Sequence, residues 1–188
     1  MIRLLKAARS VQTFCRARGW RFCFIGGIAL QRWGEPRMTR DVDVSLLAGF
    51  GREQEFIRPL LHRFKPRLRD AEEFALQHRV LLLQTREGIG VDVAFAALPF
   101  EESMIGRATP FAFQPHIKLL TCSAEDLVVL KAFADRPQDW IDVENVLTRQ
   151  GSRLDWKQLM RELRPLAELK DQPDILQRIG RLRRGRPA

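Results

Sequence analysis

The chain has 188 residues, 45% of them hydrophobic, which is enough for one domain or for a small core with an appended helical lobe. Its net charge of +9 and pI of about 10.4 favour polyanionic partners, such as nucleic acids or nucleotides. Three separated cysteines and three scattered histidines argue against a disulfide framework and a zinc site. Without an apolar run of 18 residues or a signal-peptide pattern, we expect a cytoplasmic protein with no membrane contact.

The first predicted elements are a helix, a strand and a second helix. Residues 2–18 have apolar side chains three and four apart with arginines on the outer side, which predicts an amphipathic helix. Residues 22–25 predict a short buried strand that ends at the pair Gly26–Gly27. Glycines permit positive φ and let a ligand approach the backbone closely. A short helix over residues 28–33 follows.

A pair of carboxylates lies on the next predicted strand, Asp41-Val42-Asp43-Val44. Because side chains alternate along a strand, Asp41 and Asp43 share one face, where at about 4 Å they would repel by roughly 4 kcal/mol. Such pairs occur on solvated edge strands, share a proton, or bind a divalent cation, and oxygen-only ligands suit Mg²⁺ or Mn²⁺. With the amides of Gly26–Gly27 available to a phosphate chain, the pattern indicates a metal-assisted site for a nucleoside triphosphate.

The middle of the chain continues the pattern of helices and strands. Residues 50–64 predict an amphipathic helix with Phe50 on its buried side, and residues 65–70 predict a polar connection. Two apolar runs joined by a glycine-containing turn, residues 80–84 and 91–95, predict a hairpin. The weaker predictions that follow are a short helix or loop over 98–107, a turn over 110–114 and a final edge strand over 116–120.

A third carboxylate, Asp92, lies in the second strand of this hairpin among apolar residues. We expect this strand to lie beside the strand of Asp41 and Asp43, where Asp92 would complete a metal-binding triad. The alternative is an aspartate on an edge strand that faces water.

The last third of the chain is predicted to be helical. Ser123 begins a helix with a pattern similar to a capping box, and Lys131 falls on the apolar face of that helix. A lysine in such a position is usually extended to solvent or ion-paired, and the functional alternative is that it reaches a triphosphate. Asp139 and Asp142 share one face of the next helix, where acids compensate the helix dipole. From residue 155 onward we predict one or two further helices, interrupted near Pro165 and Pro173.

The C-terminal eleven residues contain a cluster of arginines: Arg178, Arg181, Arg183, Arg184 and Arg186. One interpretation is a frayed, solvated terminus and the other is an arm that contacts RNA. The absence of tyrosine and of alternating basic and aromatic residues argues against a platform for base stacking.

Taken together, Gly26–Gly27 and the sequence Arg-Met-Thr-Arg-Asp-Val-Asp-Val at residues 37–44 resemble the signature of the polymerase-beta-type nucleotidyltransferase superfamily. The chain is most similar to the branch of abortive-infection toxins of type IV toxin–antitoxin systems. The resemblance spans roughly residues 22–149. The expected fold is mixed α/β (α+β), with a small mixed sheet and packed helices over residues 1–121 and a helical lobe over 122–188.

The resemblance implies a reaction in which a nucleoside monophosphate moves from an NTP, with ATP binding expected, to an acceptor hydroxyl. Two Mg²⁺ (or Mn²⁺) ions would be held by Asp41, Asp43 and Asp92, which with Lys131 are the implied catalytic residues. One of the acids in the next helix, preferably Asp139 rather than Asp142, would line the site or orient Lys131. The implied nucleotide-binding residues are Gly26, Gly27, Arg37, Thr39, Arg40, Lys131 and Asp139, although Thr39 alone is more typical of a turn or capping hydroxyl.

One departure concerns the phosphate turn, where many superfamily members have Gly-Ser and this chain has Gly26-Gly27-Ile28. The missing hydroxyl leaves only backbone amides for the phosphates. The toxin branch implies RNA, specifically tRNA, as acceptor and an antitoxin as a possible partner. The alternatives are an antibiotic- or protein-modifying nucleotidyltransferase and a catalytically inactive, basic RNA-binding module.

Overall fold

The computed structural model describes residues 1–184, which form helices on a seven-stranded sheet followed by a helical region. The helices are α1 (Ile2–Arg16), α2 (Gly26–Trp33), α3 (Glu53–Arg63), α4 (Ala71–His78), α5 (Pro99–Arg107), α6 (Ala124–Ala134), α7 (Pro137–Gln150), α8 (Trp156–Leu169) and α9 (Asp174–Arg184). The strands are β1 (Phe22–Phe24), β2 (Asp41–Leu47), β3 (Lys65–Pro66), β4 (Val80–Gln84), β5 (Gly90–Ala96), β6 (Thr109–Gln114) and β7 (Ile117–Thr121). Within these residues, no helix has the length and apolar character needed to cross a bilayer.

The sheet is mixed and has the strand order β3-β4-β5-β2-β1-β7-β6. Strand β2 is parallel to β5, and β1 is parallel to β7, while the other neighbouring strands are antiparallel. The predicted mixed α/β fold is therefore confirmed. The predicted hairpin is also confirmed, since β4 and β5 pair antiparallel across a short turn.

The contacts of the chain group into two compact units, residues 1–29 with 37–122 and residues 30–36 with those from 123 onward. In the first unit, alternate positions of β2 and β5 belong to opposite faces of the sheet. The valines of these strands share a hydrophobic cluster with side chains of α1, α3 and α4. These valines are Val42, Val44, Val91 and Val93. The aspartates occupy the positions between them and are only partly buried, so the hydrophobic face fixes where the acidic face lies. The predicted division at residues 121 and 122 stays a prediction.

The second unit is helical. The hydroxyl of Ser123 accepts a hydrogen bond from the backbone N–H of Asp126 at 3.1 Å, which confirms the predicted start of α6. Pro137 is the first residue of α7, where its missing N–H costs no intrahelical bond. Trp140 is buried in this unit, and its indole N–H donates to the carboxylate of Asp135 at 2.6 Å.

The arginine-rich end of the chain is helical as far as the structure describes it. Ile179, in the middle of α9, is fully buried. The guanidinium of Arg178 lies 4.2 Å from the ring centroid of Trp140, and that of Arg183 lies 5.2 Å from the ring of Trp156. A frayed terminus therefore does not describe residues 178–184, whereas Arg186 lies outside the described residues. An RNA-contacting role for these arginines remains a prediction.

Several predicted elements were wrong in extent or type. The helix predicted over residues 50–64 begins only at Glu53, because Gly49 and Gly51 have positive φ, and Phe50 is 66% exposed instead of buried. The polar connection predicted over residues 65–70 contains β3, and it is followed by α4, a helix that was not predicted and whose buried positions are alanines. Small apolar residues give a weak periodic signal, which explains why α4 was missed.

The end of the sheet also differs from the prediction. Residues 110–114 form most of β6 and not a turn, and β7 lies between β1 and β6 and is not an edge strand. Strand β6 is largely exposed, so it lacks the alternating burial that makes a strand recognisable. Pro165 lies inside α8 and does not interrupt it.

Candidate active site

Two neighbouring parallel strands bring the predicted carboxylates to one face of the sheet. Asp43 on β2 is in register with Asp92 on β5, and Asp41 is paired with Gly90. Neighbouring strands are about 4.8 Å apart, so the backbones that carry Asp43 and Asp92 are adjacent. The prediction that the strand of Asp92 lies beside that of Asp41 and Asp43 is therefore confirmed.

The glycine pair packs directly against this acidic face. Gly26 and Gly27 are the first residues of α2, so they begin a helix where the sequence predicted a turn. The backbone N–H of Gly27 points to the carboxylate of Asp43 at 3.3 Å. Gly26 has a φ of +53°, and a Cβ there would overlap the Asp43 side chain, while a Cβ on Gly27 would overlap Thr39. Glycine is therefore required here for close approach as well as for backbone conformation.

A third glycine, Gly90, allows the same close approach of the Asp41 side chain. A Cβ on Gly90 would overlap the carboxylate of Asp41, which faces it across the β2–β5 pair. In the sequence, Gly90 is the last residue of the glycine-containing turn predicted between residues 84 and 91. Gly90 comes directly before the predicted alternating strand that carries Asp92, and this position was the only sign of a role. The pairing of Gly90 with Asp41 could not be predicted, because it depends on the neighbouring strand.

Arg67, which belongs to no motif of the sequence, contacts two of the carboxylates. The guanidinium of Arg67 contacts the carboxylate of Asp92, and its Nη1 is 4.0 Å from the nearer oxygen of Asp41. Burial raises the pKa of Asp92, and the neighbouring charge of Asp41 adds to this, while the charge of Arg67 opposes it. Arg67 follows the two-residue strand β3, which is too short to be recognised from its pattern.

The acidic face fits a divalent ion by its donor atoms and by the register of its strands, because carboxylate oxygens are the ligands that Mg²⁺ and Mn²⁺ prefer. Two residues beyond Asp43 on the same face, the buried hydroxyl of Ser45 has no hydrogen-bond partner among the described residues. The three carboxylates do not converge on one point in this structure. Within residues 1–184, no three His, Cys, Asp or Glu side chains group as a metal site. The metal assignment of Asp41, Asp43 and Asp92 stays a prediction.

The basic run before β2 lies next to Asp41 in the chain. The hydroxyl of Thr39 donates to the backbone carbonyl of Asp41 at 3.4 Å, which agrees with a local turn role. Arg37 donates to the carbonyl of Met38 at 3.5 Å, and both Arg37 and Arg40 are exposed to solvent. Nucleotide binding by these three side chains stays a prediction.

Lys131 belongs to the second unit, where it is buried and 6% exposed. Its ammonium group donates to Asp139 at 3.0 Å and to Asp142 at 2.6 Å. Arg136 also donates to Asp139. Burial opposes ionisation of Asp139, but the hydrogen bonds from Arg136 and Lys131 prevail and lower the pKa of this carboxyl. Lys131 is therefore ion-paired, which was one of the two interpretations of its position on the apolar face. Contact between Lys131 and a triphosphate stays a prediction.

Comparison with known families identifies the chain. A sequence family described as "Nucleotidyl transferase AbiEii toxin, Type IV TA system" matches residues 15–185. The chain belongs to this AbiEii family. It is accordingly a nucleotidyltransferase, as the resemblance of its Gly-Gly and Asp-x-Asp motifs implied. Among curated proteins, none matches this AbiEii-family chain.

Solved structures show the same fold at low sequence identity. The lincosamide antibiotic adenylyltransferase LnuA, with lincomycin bound, has a TM-score of 0.52 at 15% identity, covering 75% of this chain and 94% of its own. The antibiotic-resistance factor ANT(2'')-Ia has a TM-score of 0.54 at 14% identity, covering 94% and 96%. A nucleotidyltransferase-like antigen of Paracoccidioides brasiliensis has a TM-score of 0.50 at 14% identity, covering 94% and 92%. The AbiEii-family chain thus has the nucleotidyltransferase fold.

Proposed function

We propose that this AbiEii-family nucleotidyltransferase moves a nucleoside monophosphate from an NTP to a hydroxyl group on RNA, in a Mg²⁺-dependent reaction, as the toxin of a toxin–antitoxin pair. The observation that carries the proposal is the alignment of Asp41, Asp43 and Asp92 on one face of β2 and β5, with the start of α2 against Asp43. The family match supports the nucleotidyltransferase activity and the toxin–antitoxin context.

In the proposed mechanism, Asp41, Asp43 and Asp92 would hold Mg²⁺, which would offset the charge of the triphosphate and lower the pKa of the acceptor hydroxyl. The carboxylate of Asp92 accepts the proton of that hydroxyl as its oxygen attacks the α-phosphorus. The bond from the α-phosphorus to the bridging oxygen breaks, and pyrophosphate leaves with that oxygen. In such a transfer, the main contribution of the protein is to align the attacking oxygen, the α-phosphorus and the leaving oxygen.

The triphosphate is bound by groups that supply positive charge or N–H donors. The start of α2 offers backbone amides of Gly26 and Gly27 together with the positive end of the helix dipole. Arg37 and Arg40 are exposed in the loop before Asp41, and both are proposed to contact the phosphates. Lys131 is proposed to contribute to phosphate binding, with Asp139 orienting its ammonium group.

RNA is favoured as the acceptor because the chain has a net charge of +9. Within RNA, we propose tRNA, which is the acceptor that the toxin branch implies. ANT(2'')-Ia has been solved with adenylyl-2''-tobramycin and LnuA with lincomycin, so small antibiotics are the acceptors to be compared. A cationic aminoglycoside would be repelled by an excess of basic side chains.

The test is incubation of the protein with α-labelled NTPs, Mg²⁺ and either total RNA, purified tRNA, tobramycin or lincomycin. We expect label on RNA with the wild type and at least a hundredfold less with Asp43→Asn, because a metal ligand is removed without altering the core. Asp70→Asn is the matched control, since Asp70 is exposed in the same unit and makes no capping bond.

Equal transfer by Asp43→Asn and the control would contradict the metal assignment. Transfer of label to an antibiotic and not to RNA would show that the acceptor is a small molecule and would contradict the proposed RNA acceptor. RNA binding that survives Asp43→Asn, with no transfer by the wild type, would leave an inactive RNA-binding module.

A further inference from the structure

A strongly basic concave surface lies on the first unit, away from the acidic face. It is formed by one side of α1, the end of α3 and the turn between β4 and β5. Two adjoining concavities, of about 420 and 680 Å³, share Lys6, Ser10 and Arg63. Its cationic residues, called here the basic surface, are Arg3, Lys6, Arg9, Arg18, Arg63 and Arg86.

In the described part of the chain, only one acid, Glu87, accompanies these six cations in the lining of the two concavities. Among residues 1–184, no carboxylate lies within ion-pair distance of Arg3, Lys6 or Arg86, and Glu87 is the acid that lines the larger concavity. Hydrogen bonds with its own backbone and with Thr85 lower the pKa of Glu87, and the charges of Arg86 and Arg63 lower it further. With one carboxylate against six cations, the surface has a positive potential.

The basic surface is built on ordered elements. Arg3, Lys6 and Ser10 follow one another at helical spacing, so they lie on one side of α1. The guanidinium of Arg63 donates to the hydroxyl of Ser10 at 3.4 Å and so links the end of α3 to α1. Phe64, the next residue, is buried beneath the surface. The backbone that carries the cations is therefore ordered before a polyanion binds, and the ordering cost of binding falls on the exposed side chains alone.

The sheet connects this surface to the proposed active site. Gln84, the last residue of β4, pairs with Gly90, and Gly90 pairs with Asp41. Two strand spacings, about 10 Å, therefore separate the backbone of Gln84 from that of Asp41. Arg86 follows Gln84 by two residues, in the turn that joins the strands. The turn thus belongs to the basic surface and leads into β5, the strand that pairs with β2.

We propose that the basic surface binds the sugar–phosphate backbone of the RNA acceptor and leads its reactive end over the β4–β5 turn to the carboxylates. The inference rests on the proposed function, because it assigns the acceptor of that reaction to a polyanion. Repeated phosphates match a row of cations, whereas a small cationic acceptor does not. Because the basic surface has no exposed aromatic ring, it would bind RNA through ionic contacts with phosphates and not through base stacking.

The test compares RNA binding by the wild type with that of a triple variant, Arg3→Gln, Lys6→Gln and Arg86→Gln. Binding of a labelled single-stranded RNA oligonucleotide is measured at several salt concentrations with the full-length protein. Each lost phosphate contact lowers the salt slope by about 0.7, so we expect a decrease of about 2 and a loss of affinity on the order of 100-fold near 0.1 M salt. ATP affinity should not change.

A matched triple control, Arg52→Gln, Arg58→Gln and Lys118→Gln, removes the same charge from exposed positions of the same unit outside the basic surface. Far-ultraviolet circular dichroism and thermal unfolding show whether both triple variants fold. Equal losses in the two triple variants would overturn the inference, because only net charge would then matter. Binding to anionic lipid vesicles in preference to RNA would also overturn it.

The experiments distinguish failure of the proposed function from failure of the proposed RNA-binding surface. If the wild type transfers label to RNA and the basic-surface variant binds RNA as the control does, the surface is wrong and the function stands. If only the basic-surface variant loses RNA binding but the wild type transfers no label, an RNA site is supported and the proposed reaction is overturned.

Discussion

At the scale of single residues, the acidic face combines three aspartates, three glycines and one arginine. Each of Asp41 and Asp43 faces a glycine whose Cβ would displace it. Arg67 supplies the positive charge that the aspartates require when no other cation is near. The aspartates and Gly26–Gly27 could be selected from the sequence, since both belong to compact patterns. Arg67 and Gly90 could not, because their roles depend on strand pairing.

Replacing Arg67 by Gln should have opposite effects on the protein with and without a metal ion. Without metal, the two partly exposed carboxylates lose their cation, so the free energy of unfolding should fall by about 1 kcal/mol or less. Affinity for Mn²⁺ should rise, because the ion no longer competes with the guanidinium. Calorimetric titration with Mn²⁺ and thermal unfolding measure the two effects. Arg69→Gln is the control, and equal Mn²⁺ affinity in all three proteins would contradict this role.

At the scale of elements, α6 and α7 are joined by ion pairs of the buried Lys131 with the buried Asp139 and Asp142. The exposed Arg136 also pairs with Asp139. Lys131 and Asp142 have almost no exposure, so their charges depend on one another and not on water. The sequence placed Lys131 on the apolar face and the two acids on one side of α7. It could not decide between an ion pair and a phosphate contact, because helical spacing gives the face of a residue and not its partner.

Lys131→Met should destabilise the protein by about 3–5 kcal/mol, because two buried carboxylates lose their common partner. The second substitution Asp142→Asn should restore part of this loss by removing one of the uncompensated charges. Urea unfolding measures both variants. A loss below 1 kcal/mol would contradict the structural role, while ATP affinity of the folded double variant separately tests the proposed phosphate contact.

The lowered pKa of Asp139 predicts an acid-sensitive contribution to stability. A carboxyl whose folded pKa is below its unfolded value, about 3.9, stabilises the protein above that value and loses the contribution as the pH falls toward the folded pKa. Asp139→Asn should therefore be less stable than wild type at neutral pH, with a difference that shrinks below about pH 4. Urea unfolding across this range, with exposed Asp171→Asn as control, measures the change. A difference independent of pH would refute the prediction.

At the scale of the whole molecule, the strands β1, β2, β4 and β5 and the β4–β5 hairpin were predictable, because apolar runs, alternation and glycine turns are local patterns. The hydrophobic alternation of β2 and β5 also placed the acids on one face. The rest depended on tertiary context: β6 is exposed and lacks alternation, β7 is interior only because β6 covers it, and α4 is short and alanine-rich. The family assignment came from the motifs, and the basic surface came from the fold, because α1, α3 and the β4–β5 turn are distant in sequence.

The three cysteines, Cys15, Cys23 and Cys122, are all buried and form no disulfide. Burial raises the pKa of the Cys15 thiol to about 12, against a smaller opposing effect of Arg18, so this sulfur stays protonated and unreactive at neutral pH. Maleimide reagents should consequently leave the native protein unlabelled. A single cysteine introduced at an exposed position would then carry a fluorophore without competition, giving a direct optical reporter of ligand binding.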